Sequence, residues 1–110
     1  MEEEEEKGSR YNEGKIKWSL VPQSALLPMV EVLEFGAKKY APHNWKKGLS
    51  ITEICESLKR HLDAFMEGED LDLESGLHHV GHMQCNTLFL SYMLQNMSEL
   101  DDRYIHEKEN

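Results

Sequence analysis

Leu26, Val30, Leu33 and Ala37 recur at helical spacing, with Leu27 and Phe35 widening the stripe, and they predict a first helix that runs to about Tyr40. Ahead of it, Trp18, Leu20 and Val21 form a short apolar hook that stops at Pro22. Pro22 suits a first helical turn, where an amide hydrogen is not needed, whereas Pro28 either kinks the helix or marks a second start. Ala41, Pro42, His43 and Asn44 break the pattern, and a loop carrying Trp45, Lys46, Lys47 and Gly48 follows. Ser50 and Glu53 have capping-box spacing. From there Ile51, Ile54, Cys55, Leu58, Leu62 and Phe65 trace one face of a second helix that reaches about Glu67. Gly68 ends it, residues 69–76 form an acidic connection, and a third helix is predicted over about 77–97, with Val80, Leu88, Phe89, Tyr92 and Met93 as its apolar positions. The tail leaves room for a short helix near 100–105. Nothing alternates with the period of a strand, so the expected fold is all-α: a compact bundle of three main helices plus that short C-terminal one.

A chain of 110 residues supports one hydrophobic core. The expected division is a disordered acidic tail over 1–12, a helical domain over 13–98, and an acidic tail or short helix over 99–110. So small a domain leaves much surface exposed, which makes completion of the bundle by oligomerisation an expectation. The net charge of −9 sits mostly in the tails, which carry −4 over residues 1–7 and −3 over 99–110, leaving −2 for the middle. No basic excess is available to neutralise the phosphates of duplex nucleic acid. A single nucleotide is not excluded, because a bound divalent ion can supply positive charge. Cys55 and Cys85 form no metal-binding pair and are expected to be two buried thiols in a reducing compartment. The start of the chain lacks an apolar signal core, and no window approaches a membrane span, so a cytoplasmic protein is expected.

Several side chains offer chemistry. Glu31 and Glu34 lie three apart on the first helix and can present two carboxylates to Mg²⁺ or Mn²⁺; equally, they can be solvent glutamates, with Glu34 paired to Lys38. His61 falls at the edge of the apolar stripe, either as a hydrogen-bonded boundary residue or as a ligand. Arg60 can meet a phosphate or pair with Glu56 one turn back. His78, His79, His82 and Asn86 occupy an arc of about 100 degrees on the third helix, at about 3.6 residues per turn. Such groups need hydrogen bonds, a metal or solvent, so they can orient a phosphate, polarise water or support metal ligands. The run HHVGH lacks the glutamate of a zinc-protease motif. Asp70, Asp72 and Glu74 can add metal oxygens or form a solvated turn. Lys38, Lys39, Asn44, Trp45 and Lys47 mark a surface on which lysines attract a triphosphate and Trp45 stacks on a base, unless Tyr40 and Trp45 simply anchor the loop.

Tyr11-Asn12-Glu13-Gly14-Lys15, LEFGAKKY at 33–40, Asn44-Trp45-Lys46-Lys47-Gly48, Arg60-His61-Leu62, GEDLDLESGL at 68–77, and His79 with His82 and Asn86 follow in order within about residues 11–92. In these strings the chain resembles the N-terminal-domain family of dATP/dGTP diphosphohydrolases, a phage-associated branch akin to the all-α MazG-like nucleotide pyrophosphohydrolases. The resemblance implies cleavage of a deoxynucleoside triphosphate, dGTP or dATP, between its α and β phosphates, with Mg²⁺ or Mn²⁺ and a homodimer or homotetramer, in the host cytoplasm if the chain is phage-encoded. MazG-like enzymes place an ExxE pair and a later ExxD pair on adjacent helices. Glu31-x-x-Glu34 matches the first, while no ExxD stands on the third helix, where His79-x-x-His82 is found instead. The roles that follow give the metal to Glu31 and Glu34, helped by Asp70, Asp72 or Glu74. Phosphate contacts fall to Lys38, Lys39 or Arg60, ligand positioning or proton transfer to His61, His79 and His82, and orientation of a neighbour to Asn86. The alternatives are a noncatalytic nucleotide-binding or assembly protein, and a phosphohydrolase acting on another nucleotide.

Overall fold

A computed structural model describes residues 8–11 and 13–105, so most of the expected N-terminal tail, and the last five residues of the C-terminal one, lie outside the described residues. Within them the chain is all-α, with three main helices: α1 (Leu27–Lys39), α2 (Ile51–Met66) and α3 (His79–Asn96). Short 3-10 turns at Trp18–Leu20, Gln23–Leu26, Asn44–Lys47 and Ser98–Leu100 link or flank them, and no strand occurs among the described residues. The apolar hook and the segment after Pro22 are therefore 3-10 turns, and Pro28 settles as a second start, one residue inside α1, where its missing amide costs no hydrogen bond.

Local signals explain the helix ends. The Ser50 hydroxyl accepts from the Glu53 backbone N–H at 3.2 Å and caps α2. Asp102 returns from the end of the chain to the same helix start, where its carboxylate accepts from the Thr52 backbone N–H at 2.9 Å and from the Thr52 hydroxyl at 2.6 Å. Residues 101–105 are thus not helical; the single 3-10 turn at Ser98–Leu100 stands near the short helix expected there, and Asp102 is held by a cap instead. Gly68 takes φ of 98° just beyond α2, a left-handed conformation that an L side chain would strain.

The three helices form two contacts that meet on α3. On one side α2 and α3 enclose the core of Ile51, Ile54 and Met93, exposed by 2%, 3% and 0%. Trp45 closes this core from the loop, with its ring centroid 4.8 Å from Phe89 and 4.9 Å from Tyr92. On the other side α1 lies against the first turns of α3 at Gly81, where an added Cβ would stand 2.4 Å from the Pro28 carbonyl oxygen. The Cys85 thiol donates to the Met29 carbonyl at 3.2 Å and the Gln84 amide to the Ala25 carbonyl at 2.9 Å, so both lock the same crossing.

Two expectations are corrected. Val32 is the buried side chain of α1, while Val30 and Leu27 of the expected stripe are exposed, because α1 docks through Pro28, Met29 and Val32. Cys55 is exposed and only Cys85 is buried, since α2 meets its neighbours through Ile51 and Ile54 and turns Cys55 outward. Apolar surface also stays open along the second half of α2 and the following loop, at Leu62, Phe65, Met66 and Leu73.

Candidate metal centre

The acidic connection between α2 and α3 is a folded loop held by its own backbone. Asp72 N–H donates to the Leu77 carbonyl at 2.7 Å, Gly76 N–H to the Asp72 carbonyl at 2.8 Å, and His79 N–H to the Asp70 carbonyl at 2.9 Å. An isolated bridge joins Leu71 to His78. The Asp72 side chain accepts from the Ser75 N–H at 2.8 Å, and the Ser75 hydroxyl accepts from the Leu77 N–H at 3.2 Å. This frame turns Asp72 inward and leaves Leu73 and Glu74 exposed at the edge of the cluster.

Three histidines meet Asp72 there. His61 comes from the third turn of α2, and His79 and His82 from the first turn of α3. The Nδ1 atoms of His61 and His79 lie 2.8 Å apart. The His61 and His82 rings stack with centroids 4.3 Å apart and planes 3° from parallel. His82 Nε2 is 2.7 Å from the Ser75 hydroxyl and 3.8 Å from Asp72 Oδ2, so Ser75 is its hydrogen-bond partner and Asp72 acts on it only through space. Burial pushes the His61 and His82 imidazoles below their ordinary value, with further lowering from neighbouring imidazoles, against the pull of Asp72. Burial alone would raise Asp72, but the hydrogen bonds from Ser75 outweigh it and hold the carboxyl below its usual range.

One ligand atom each from His61, Asp72 and His79 falls within a sphere of 4.8 Å mutual separation, a set able to hold a divalent cation. The residues fit such an ion. His79 is 3% exposed, and its Nε2 is buried with no hydrogen-bond partner. Glu69 Oε1, at 3.6 Å, is outside hydrogen-bond length. A buried ring nitrogen without a partner is costly unless something else satisfies it. Two imidazoles and a carboxylate form a donor set that suits Mn²⁺, Fe²⁺, Co²⁺ or Zn²⁺ better than the all-oxygen preference of Mg²⁺.

The cluster opens into a cleft of about 380 Å³ lined also by Phe35, Arg60, Ala64, Glu69, Leu73 and Glu74. Arg60 forms no ion pair among the described residues, so of its two alternatives the pairing with Glu56 is not made. Lys39 reaches the rim of this cleft from α1, where its ammonium lies 2.7 Å from Glu74.

The structure therefore brings together His61, His79, His82, Asp72, Glu74, Arg60 and Lys39 out of the residues named from sequence. Glu31 and Glu34 are among neither the side chains of the cluster nor those lining its cleft, and both are exposed on α1, beside the Val32 that the helix buries. Asp70 points outward and contributes its backbone carbonyl. Lys38 is exposed, Asn44 starts a 3-10 turn, and Trp45 packs into the aromatic core, where its ring is engaged by Phe89 and Tyr92. Asn86 is buried one turn beyond His82, and its amide donates to the Ser57 hydroxyl at 3.2 Å. Sequence reasoning missed Ser75 and Glu69. The spacing Asp72-x-x-Ser75 was the available signal for Ser75, since an aspartate accepting from the N–H three residues on is a common local motif.

The chain is thus an all-α domain in which two imidazoles and a carboxylate converge on a cleft as a candidate metal site. Residues 5–103 match the family model described as dATP/dGTP diphosphohydrolase, N-terminal, and the chain belongs to that family. It is 33% identical over 96 residues to a protein of Salmonella phage PMBT28 called dATP/dGTP diphosphohydrolase, a match that covers 87% of this chain and 33% of that one. The chain thus spans about a third of the length of that relative. No solved structure matches it. No helix among the described residues is long and apolar enough to cross a membrane.

Proposed function

We propose that this domain carries a divalent-metal-dependent hydrolysis of a purine deoxynucleoside triphosphate, dGTP or dATP, to the monophosphate and pyrophosphate. The observation that supports it best is the convergence of His61, Asp72 and His79 in a cleft that also contains Arg60. The name of the phage relative supports the substrate class.

His61, Asp72 and His79 would hold the cation, and Mn²⁺ suits this donor set better than Mg²⁺. Bound there, the ion supplies charge screening for the phosphates and a more acidic water. Arg60 binds a non-bridging phosphate oxygen through its planar guanidinium, and Lys39 adds a second positive charge at the rim. His82 is kept neutral by burial and fixed in orientation by its stack on His61 and its bond to Ser75, so one ring nitrogen is ready to take a proton. Water oxygen bonds to the α phosphorus, the bond from that phosphorus to the α–β bridging oxygen breaks, and pyrophosphate leaves with the bond's electrons while His82 accepts the proton of the water. Asn86 holds Ser57 and fixes the α2–α3 spacing behind the cleft. Glu31, Glu34 and Asp70 stand outside this assignment.

The apolar surface left open on α2 supports a homodimer or homotetramer as the working assembly. A deoxynucleoside triphosphate substrate supports a cytoplasmic activity, that of the host if the chain is phage-encoded. Incubation of the purified protein with Mn²⁺ or Mg²⁺ and each dNTP, followed by chromatographic separation, tests the reading. Equimolar dNMP and pyrophosphate are expected, fastest with Mn²⁺. Absence of turnover by folded, metal-loaded protein across the panel would favour a noncatalytic nucleotide-binding protein.

A further inference from the structure

A second cleft, of about 440 Å³, opens between α2 and α3, and Arg60 lines it as well as the histidine cleft. Along α2, Glu53, Glu56 and Arg60 fall at i, i+3 and i+7; along α3, His82, Asn86 and Phe89 fall at i, i+4 and i+7. Each set shares one helix face, so the two clefts are the two ends of one groove. The seven steps from Glu53 to Arg60 span about 10 Å at about 1.5 Å per residue, comparable to the reach from a nucleobase to its phosphates.

The ends differ in chemistry. One carries Arg60 and the metal donors. The other carries the carboxylates of Glu53 and Glu56, which repel phosphate, together with the Phe89 ring and the Asn86 amide. Asn86 is 7% exposed and its Nδ2 is committed to Ser57, which leaves its oxygen as an acceptor. This end is therefore rich in acceptors beside an apolar wall. Its complement is a flat ring whose edge carries adjacent N–H donors. Guanine presents N1–H next to its N2 amino group, and a carboxylate can accept from both at once. Adenine presents an acceptor at N1 beside its N6 amino group, so the same carboxylate would face a lone pair.

We propose that this end of the groove is the base subsite, that it selects guanine over adenine, and that Glu56 determines the selection by accepting from N1–H and the N2 amino group. Glu56 is one turn from Arg60 and adjacent to Ser57, which places it between the phosphate end and the rim occupied by Glu53. The proposal rests on reading the histidine cleft as the phosphate end.

The test separates the two readings by measuring binding without turnover. The metal-free protein is titrated with dGMP and with dAMP by calorimetry, and saturation-transfer NMR records which base protons receive magnetisation. The native protein is expected to bind dGMP about tenfold or more tightly than dAMP, a difference of about 1.4 kcal/mol. Glu56→Gln, an exposed substitution checked by an unchanged thermal transition, is expected to remove or invert that preference, because an amide can donate to adenine N1 and accept from its N6 amino group. Phe89→Leu is expected to weaken both nucleotides alike. Equal binding of the two nucleotides by native protein, no detectable binding of either, or an unchanged preference in Glu56→Gln would each overturn the subsite. Glu56-dependent dGMP binding by a protein that turns over no dNTP would uphold the subsite and remove the proposed hydrolysis, whereas turnover without base preference would do the reverse.

Discussion

The Nδ1 atoms of His61 and His79 stand 2.8 Å apart, though the residues are separated by 18 positions and arise from different helices. One proton at most can lie between two such nitrogens, so at least one offers a lone pair toward the other. One shared proton satisfies that contact, so the cost lies in His79 Nε2, which is buried and unpartnered and which a cation close to the pair would relieve. Changing His61 or His79 to Ala is expected to lower Mn²⁺ affinity and dNTP turnover by about 100-fold or more, given that loss of even an outer partner typically costs about 10–100-fold. Glu31→Gln combined with Glu34→Gln is expected to leave Mn²⁺ affinity within about threefold, as for exposed groups away from a site. Calorimetric Mn²⁺ titration and electron paramagnetic resonance of the bound ion measure the affinities directly; tight binding by His79→Ala, or its loss in the glutamate variant, would return the metal to α1.

The helices were legible from the sequence because their ends carry local chemistry. Ser50, Gly68 and the apolar period of α2 act within a few residues of where they stand, and the structure places α2 at Ile51–Met66 accordingly. The face each helix buries was less legible. Val32 replaces Val30 on the inner side of α1 because Gly81, fifty residues away, lets the Pro28 turn approach α3, and no period within α1 contains that fact. For the site, the clustering of His79, His82 and Asn86 was visible as an arc on one helix. That Asp72 turns inward, Glu74 stays at the rim and Asp70 points away depends on backbone hydrogen bonds across the loop, which composition does not encode.

Gly81 carries the α1–α3 crossing, and its replacement is a direct probe of it. A methyl group would meet the Pro28 carbonyl oxygen at 2.4 Å and the carbonyl carbon at 2.7 Å, both of them backbone atoms that cannot rotate away. Gly81→Ala is expected to destabilise by about 1–3 kcal/mol through overpacking, more than offsetting the alanine's better helix propensity. At about 4–8 °C per kcal/mol for a domain near this size, the thermal midpoint should fall by at least about 4 °C. An unchanged midpoint on circular dichroism melting would mean that α1 does not lie on α3 at this turn.

Acid should weaken the metal-free fold before any carboxylate is protonated. His61 and His82 have their ordinary value of 6.5 lowered in the folded state, chiefly by burial. Below that value the unfolded chain takes up protons that the folded chain refuses, so their stabilising effect is full above pH 6.5 and is lost as pH falls through the folded values. The thermal midpoint is expected to be level between about pH 7 and 8 and to decline from about pH 6.5 toward 5. His82→Gln should flatten part of that decline. Asp72, also lowered, adds a separate loss of stability only under stronger acid, as the carboxyl that Ser75 holds becomes protonated. A midpoint independent of pH between 7 and 5 would contradict the burial of these rings.

The two cysteines should differ in reactivity by their packing alone. Cys55 is exposed on the outer face of α2, whereas Cys85 is buried on α3, donates its thiol to the Met29 carbonyl at 3.2 Å, and is pushed up to about 12 by burial. The thiolate is the reactive form, so Cys85 is protected both sterically and by its protonation. With an aromatic disulfide reagent at pH 8, one thiol per native chain is expected to react rapidly and the second only on unfolding. Cys55→Ser should abolish the rapid phase, while Cys85→Ser should leave it intact. Because Cys85 sits one turn beyond Gly81, release of the slow thiol in Gly81→Ala would report the opening of the same α1–α3 contact, and the protection of Cys85 in that variant would show that the helices had stayed together and absorbed the methyl group elsewhere.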